Sequence, residues 1–479
     1  MLINKAFISN VSFGWIKTIF VVIYQFLLVS FVLKFSTHQV YGEFVIANQL
    51  GNYLLLFTSS INLGMVKVLI DYKKSSNYFN YLKYLIKLFG KISISIMFLT
   101  FLIVFFLKKF TNFEYTNLIL LAGLNTSILV MTLFYEAIHK ANEHHKKYYI
   151  RFCYSLIIRL IFILTLFKIH NTSESLLFIM FVSNTLYLFF LSVGIPTKKI
   201  ISNLFKSSKN TKFRSSIFSH SRHSLLRIIV DQSTRFLYLI LPSFFFGTEA
   251  TSYIEISSKI GQAVYSIFSS VNSVFLSRYN SFLNLFPNKD ILRFNDLFIL
   301  RILKNSSYVV YVCLLFVLPY IYMIWLGDIE IEILNLSYLF LIYFIFKSGS
   351  DIQIPIIVSQ DKIKKLSYSF IICLVIQIVI SLISIKFLAN NYSTYFIIIG
   401  LSVGIIFRNL IAFPKISNII VMKNVEIIVI VMFFGYYCYS IIINNLIFIY
   451  VLSFLLLIYS LYHLIKDYGK YKDFTLGSK

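Results

Sequence analysis

Charged residues are scarce in this chain. Only 13% of its 479 residues are Asp, Glu, Lys or Arg, whereas 58% are apolar and 18% are aromatic. Soluble globular proteins average about 25% charged and 45–50% apolar residues, so this chain lacks the polar surface that a soluble enzyme needs. The same composition excludes an intrinsically disordered chain, which requires low hydrophobicity and high net charge.

Cysteine is also scarce, and no catalytic motif is visible. The four cysteines lie far apart within apolar runs, which is typical of small core residues and not of a disulfide or metal framework. The sequence contains no Walker motif and no nucleophile–base constellation, so it indicates neither an ATPase nor another enzyme. The cysteines are Cys153, Cys313, Cys373 and Cys438.

Long apolar segments fill the chain instead. A helix needs about 20 mostly apolar residues to span a bilayer, and we identify fourteen such segments. Because the runs are solid and do not alternate polar with apolar residues, they predict an all-α polytopic membrane protein. The predicted spans are residues 11–33, 42–64, 89–107, 117–138, 152–168, 174–194, 225–247, 252–276, 303–326, 334–358, 366–388, 393–413, 424–443 and 445–465.

Lysine and arginine concentrate in every second loop. The longest of these loops, residues 196–222, is strongly basic, whereas loops on the other side carry acids such as Asp328, Glu330 and Glu332. The positive-inside rule then predicts that the N- and C-termini are both cytoplasmic. The net charge of +25 is accounted for by this rule and by attraction to anionic membrane lipid, so we expect no nucleic-acid partner.

The two halves of the chain show a weak internal repeat. At an offset of 210 residues, Gly51 aligns with Gly261, and the run 59–62 (SSIN) aligns with 269–272 (SSVN). The offset covers six spans, so both copies cross the membrane in the same direction, as in parallel transporter repeats. We therefore predict two parallel six-helix lobes followed by two C-terminal helices. The predicted segments are an N-lobe (1–195), a basic cytoplasmic loop (196–222), a C-lobe (223–415) and a final helix pair with a cytoplasmic tail (416–479).

Four short motifs are scattered over the chain. They are residues 40–44 with Gly51 and 61–64, Asp231 and Arg235 with 247–250, 318–319 with 324–327, and 360–362. Together they resemble motifs of the polysaccharide and O-antigen flippases, although the last lacks that family's glycine. The family is part of the multidrug/oligosaccharidyl-lipid/polysaccharide exporter superfamily, which also holds multidrug/toxin exporters and the peptidoglycan-lipid flippase.

The resemblance implies a function. The chain would carry undecaprenyl-pyrophosphate-linked oligosaccharide from the inner to the outer leaflet of the bacterial inner membrane by alternating access. It would need no cofactor, and its energy would come from a coupling ion, H⁺ or Na⁺, or from removal of substrate on the far side. A polysaccharide polymerase and a chain-length regulator would be its protein partners.

Ionisable side chains inside the predicted spans are the candidate site residues. Each costs about 2.5–3.5 kcal/mol at mid-bilayer, so it should face a cavity or a partner. Guanidinium groups bind pyrophosphate through paired hydrogen bonds, and Arg235 lies near the middle of the seventh span. We therefore predict a cationic cavity for the substrate, formed by Arg235, Asp231, Arg227, Lys17, Arg159, Arg408 and Lys259.

A structural role for these charges is the alternative. Three acid–base pairs have helical i,i+4 spacing and can neutralise each other: Asp231 with Arg235, Glu255 with Lys259, and Lys347 with Asp351. Two other functions also stay open. A cation-coupled drug/toxin antiporter of the same superfamily is one, although such exporters favour acidic cavities. An O-antigen polymerase is the other, although it needs a large outer loop, which this chain lacks.

Overall fold

In the computed structural model, the regular secondary structure of the described residues is helical, as the sequence predicts. These are residues 5–72, 78–110, 115–142, 145–193, 195, 211–283, 289–328, 330–351, 354, 363–387, 390–409, 454–455, 457–459, 461–462 and 465–466. Within these ranges, eight helices are long and apolar enough to cross a membrane. The predicted span 424–443 and most of 445–465 lie outside the described residues.

The chain forms two compact units, Met1–Ser252 (unit 1) and Tyr253–Lys479 (unit 2). Helix α8 (Thr211–Leu283) begins in unit 1 and continues into unit 2, with a break at Gly247. The division into two lobes and a linking loop stays a prediction, although residues 211–222 of that predicted loop form the start of α8.

In the described part of unit 1, seven helices precede α8. Threonines begin two of them: Thr37 caps α2 through Val40 N, and Thr172 caps α7 through Ser175 N. The helices are α1 (Lys5–Phe35), α2 (His38–Leu54), α3 (Leu56–Tyr72), α4 (Tyr78–Phe110), α5 (Thr116–Ala141), α6 (His145–Phe162, extended by a π-helical turn, Ile163–Phe167) and α7 (Ser173–Ser192).

The second predicted span is divided in the structure. Residues 42–64 belong to α2 and α3, which are separated by a turn at Leu55. Gly51 and Asn52 lie in the last turn of α2 before this point, and both are weak helix formers.

In the described part of unit 2, α8 is followed by α9 (Lys289–Leu326), α10 (Ile331–Asp351), α11 (Ile363–Phe387) and α12 (Asn390–Phe407). Helix α10 packs against α9 and α12, and its residues 336–346 are buried on all faces. In unit 1, α5 has the corresponding central place and packs against α2, α3, α4, α6 and α7. Both helices are the fourth span of their half, which agrees with the predicted repeat.

The break in α8 also supports the repeat. Thr37 precedes α2 with extended backbone angles, and the position 210 residues later is Gly247. Gly247 has φ 85° and ψ 172°, a region that favours glycine. The two copies of the second span therefore begin at equivalent positions, His38 and Thr248.

The matching glycines allow equivalent close contacts. A Cβ atom at Gly51 would lie 2.7 Å from Thr126 Oγ1 of α5, and one at Gly261 would overlap the Phe344 ring of α10. Each glycine thus lets the second span of its half approach the central fourth span.

We expect Gly261→Ala to destabilise the protein by about 1–3 kcal/mol, because the added methyl group overlaps the buried Phe344 ring. Gly90→Ala on α4 is the matched control, because nothing lies within 4 Å of its Cβ position. That substitution should stabilise the helix by about 0.5–1 kcal/mol. Thermal denaturation of the two purified variants in detergent tests this, and a Gly261→Ala protein that melts with the wild type would contradict it.

Candidate functional site

Within unit 1, aromatic side chains surround the ammonium group of Lys17. Its Nζ donates to the Tyr148 hydroxyl at 3.1 Å and lies 4.4 Å from the ring centre of Phe152 and 5.7 Å from that of Tyr149. Cation–π contacts of this kind stabilise a lysine that is partly removed from water. Helix α6 thus holds the ammonium group of α1 through three aromatic side chains within little more than one helical turn.

Glu136 is the carboxylate of this cluster, and it is not among the site residues predicted from the sequence. Its carboxylate pairs with Lys140 at 3.2 Å and accepts a hydrogen bond from Tyr187 at 3.2 Å. The Tyr148 hydroxyl also bonds to it, so Tyr148 connects Glu136 to Lys17. The i,i+4 spacing of Glu136 and Lys140 at the end of an apolar run was the available signal.

Arg159 occupies a different environment, two helical turns further along α6. Its Nε donates to Ser183 Oγ at 2.8 Å, and its Nη2 donates to Asn184 Oδ1. The guanidinium lies 5.6 Å from the Tyr24 ring centre. Asn184 in turn donates to Asn125 Oδ1 at 2.6 Å, so neighbouring helices orient the amide that Arg159 uses.

In unit 2, Arg408 forms a buried ion pair. Its Nη2 lies 2.9 Å from Asp351 Oδ1, and the two side chains are only 2% and 8% exposed. Asp351 Oδ2 accepts a hydrogen bond from Tyr265 at 2.6 Å, and the guanidinium lies 4.6 Å from the Phe370 ring centre. Asp351 is therefore paired with an arginine that lies 57 residues further along the chain. The i,i+4 spacing had suggested Lys347, one helical turn away.

The other predicted cations differ in how far the structure describes them. Lys259 pairs with Glu255 on α8, as the spacing predicts, and both are buried. Arg235 is half-buried on α8. The side chains of Arg227 and Asp231 lie outside the described residues, so their predicted roles stay predictions.

The partners of these cations divide them into two kinds. Lys259 and Arg408 contact a carboxylate directly, and Lys17 reaches Glu136 through Tyr148. Arg159 is held by a hydroxyl, an amide oxygen and an aromatic ring, all of which are neutral. Its positive charge is thus solvated by neutral dipoles, and these leave it able to attract an anion.

Helices α2 and α8 form a reciprocal contact within unit 1. His38 Nδ1 lies 2.9 Å from Ser252 Oγ, and a Cβ atom at Gly42 would overlap the Thr248 carbonyl. With the 210-residue offset, His38 is equivalent to Thr248 and Gly42 is equivalent to Ser252. In each contact, the His38 position of one repeat therefore meets the Gly42 position of the other. Such reciprocal pairing is typical of a twofold interface.

Solved structures of membrane transporters share this fold. A multidrug resistance MATE family transporter of the MOP superfamily in an outward-facing conformation matches with a TM-score of 0.65 and 11% identity, over 86% of this chain and 94% of that chain. An inward-facing conformation of such a transporter matches with a TM-score of 0.63 and 14% identity, over 87% and 99%. The lipid II flippase MurJ matches with a TM-score of 0.60 and 16% identity, over 98% and 100%. No family model and no curated protein matches the chain in sequence.

These matches show the fold of the chain. It has the polytopic helical fold of MOP superfamily transporters, as the resemblance predicts, although the count of fourteen spans stays a prediction. The similar proteins are transporters and a flippase, not enzymes.

Proposed function

With the fold of a MOP superfamily transporter as the premise, we propose that this protein is a flippase for lipid-linked oligosaccharide in the bacterial inner membrane. It moves an undecaprenyl-pyrophosphate-linked O-antigen or polysaccharide repeat unit from the cytoplasmic to the outer leaflet by alternating access. Both termini are cytoplasmic in this proposal, in agreement with the distribution of lysine and arginine in the loops.

The neutral surroundings of Arg159 carry the proposal. A guanidinium group has five N–H donors; the Ser183 and Asn184 bonds use two of them, and the Tyr24 hydroxyl also bonds to the guanidinium. The side chain is half-buried, so water screens its charge less than it would at the surface. Such a group favours a dianionic pyrophosphate over a cationic drug.

The lipid II flippase among the similar structures also supports a lipid-linked substrate. A polysaccharide polymerase and a chain-length regulator would act on the translocated units, and we propose them as functional partners.

A cation-coupled drug antiporter is the second candidate. The similarity to MATE family multidrug transporters favours it, with TM-scores up to 0.65. Three of the described carboxylates, Glu136, Glu255 and Asp351, count against it, because each already has a lysine or arginine partner.

Arg159 substitutions in the host test the proposal. In a deletion strain complemented with each variant, we expect Arg159→Gln to reduce surface polysaccharide and to trap lipid-linked repeat units on the cytoplasmic leaflet. Loss of charged hydrogen bonds worth about 1.5–3 kcal/mol corresponds to about a 10- to 150-fold lower transport rate. Arg159→Lys keeps the charge without the planar fork, so an intermediate rate is expected.

Lys168→Gln is the control, because it removes an exposed cation just after the same helix. Its transport should equal that of the wild type. Full transport by a normally expressed Arg159→Gln protein would contradict the role of Arg159. Unchanged surface polysaccharide in the deletion strain itself would contradict the flippase and favour the antiporter.

A further inference from the structure

Three lysines of α4 lie on one face of the helix, near its N-terminal end. Lys83, Lys87 and Lys91 are spaced four residues apart, so each lies one turn further along the helix than the last. Lys87 and Lys91 are exposed, and Lys83 is half-buried. The opposite face of α4 carries Leu85 and Phe89, which are buried in the core of unit 1. The face with these lysines, the lysine stripe, therefore points away from that core.

The lysine stripe differs from the other cations of unit 1 in its partners. In the part of the chain that the structure describes, none of its three lysines forms an ion pair. Lys140, by contrast, pairs with Glu136. Like charges four residues apart on a helix repel each other, so the stripe weakens α4 unless an anion lies against it.

The same face of α4 continues as an exposed apolar surface. Ile94, Phe98 and Phe105 follow the stripe at helical spacing, and all three are exposed. Gly90 lies three residues after Lys87 and four before Ile94, and a Cβ atom there would have no neighbour within 4 Å. The glycine thus leaves a notch between the cations and the apolar side chains. Cations at one end and apolar groups along the rest match the headgroup and the acyl chains of an anionic lipid.

The length of α4 places the stripe at a membrane boundary. Lys108 is exposed near the other end of the helix. With a rise of 1.5 Å per residue, Lys87 lies about 32 Å before Lys108 and Lys91 about 26 Å before it, whereas the hydrocarbon core is about 30 Å thick. Helical side chains lean toward the N-terminus, which directs the Lys91 ammonium group back toward the lipid headgroups.

From this face of α4 we propose that the lysine stripe is a binding site for an anionic phospholipid. The phosphate of the lipid lies against the ammonium groups of Lys87 and Lys91, with Lys83 as the third cation. Its acyl chains pack over Gly90 and along the apolar side chains that follow. The distribution of lysine and arginine places this end of α4 in the cytoplasmic leaflet. The site binds membrane lipid and not cargo, so the proposal is independent of the proposed function.

The two parts of the surface favour a phospholipid over other anions. Inorganic phosphate meets the same lysines but gains nothing from the exposed apolar side chains. A zwitterionic lipid gains the apolar contacts, but its own ammonium group is repelled by the lysines. An anionic phospholipid gains both contributions, so it should bind more tightly than either.

Native mass spectrometry of the purified full-length protein in detergent tests the site. Phosphatidylglycerol should bind more tightly than phosphatidylethanolamine with the same acyl chains. A lysine near an anionic headgroup contributes about fivefold in affinity, so Lys87→Gln combined with Lys91→Gln should weaken phosphatidylglycerol binding about 25-fold. The binding of phosphatidylethanolamine should stay unchanged. Both lysines are exposed, so this double variant should melt with the wild type when no lipid is added.

Lys146→Gln combined with Lys147→Gln is the matched control. It removes two exposed lysines at the start of α6, so the loss of net charge is the same. Adjacent helical positions do not share a face, and phosphatidylglycerol should therefore bind this variant within about twofold of the wild type. Equal weakening by the two double variants would overturn a site on α4, and so would wild-type binding by the α4 variant.

Thermal denaturation provides a second measurement. A ligand that binds the folded protein raises its melting temperature, so phosphatidylglycerol should raise that of the wild type and of the α6 control more than that of the α4 variant. Inorganic phosphate that displaces the lipid at equal concentration would mean a site for free anions and would overturn the lipid assignment. Displacement by undecaprenyl pyrophosphate would assign the stripe to the transported lipid instead. Neither measurement involves transport, so failure of the flippase proposal would leave their outcome unchanged.

Discussion

Replacing Asp351 with leucine should lower the stability of unit 2 by about 3–5 kcal/mol. The substitution takes the carboxylate away from the Arg408 guanidinium, whose side chain is only 2% exposed, and also removes the acceptor of the Tyr265 hydroxyl. A buried charge that loses its counter-ion costs far more than an ion pair gains, because the charge has no water to replace the partner. Thermal denaturation in detergent and the yield of monodisperse protein measure the loss.

The double variant Asp351→Leu with Arg408→Met is the informative control. A buried ion pair replaced by apolar side chains of similar volume is often neutral or stabilising, so we expect the second change to recover most of the lost stability. Asp328→Asn, on an exposed residue after α9, should leave the melting temperature unchanged. Equal melting of Asp351→Leu and the wild type would show that this pair does not hold α10 to the segment after α12.

When His38 and Ser252 are both replaced with cysteine and joined by a short bifunctional thiol reagent, we expect the transport rate to fall at least tenfold. The side chains that they replace lie 2.9 Å apart, from His38 Nδ1 to Ser252 Oγ. The similar MATE family transporters were solved in outward-facing and inward-facing conformations. If this protein alternates likewise, its equivalent helices must separate at one end, and a covalent link there holds one state.

The background for this experiment needs the natural cysteines replaced, since Cys313 is exposed and Cys153 is partly so. Each single-cysteine variant treated with the same reagent should transport normally, and a cleavable reagent should restore transport on reduction. Undiminished transport by a fully cross-linked protein would mean that the α2–α8 contact stays closed throughout the cycle.

The local features of the protein were predictable from its sequence. Apolar runs predicted the helices, and the 210-residue offset related the predicted span starts at residues 42 and 252; the structure begins both helices four residues earlier, at His38 and Thr248. The pair of Glu255 with Lys259 followed from its i,i+4 spacing. These features depend on residues within one helix, so a linear pattern contains the information.

The partners of the intramembrane charges were not predictable in the same way. Spacing pointed from Asp351 to Lys347, yet the structure also brings Arg408 to it from 57 residues away. Arg159 was one candidate among several cations until its hydroxyl, amide and aromatic neighbours set it apart.

The sequence by itself determined that the chain is a helical membrane protein built from a repeated half. It also determined that lysine and arginine are concentrated in every second loop. A bilayer requires each span to satisfy its backbone hydrogen bonds within itself, so composition and period along the chain are sufficient for that conclusion. Only the tertiary structure decided which of the described charges are paired with a carboxylate and which cation has neutral partners. Those properties depend on how each helix is rotated against its neighbours, and helices that are apolar on nearly every face carry little sequence pattern to reveal that rotation.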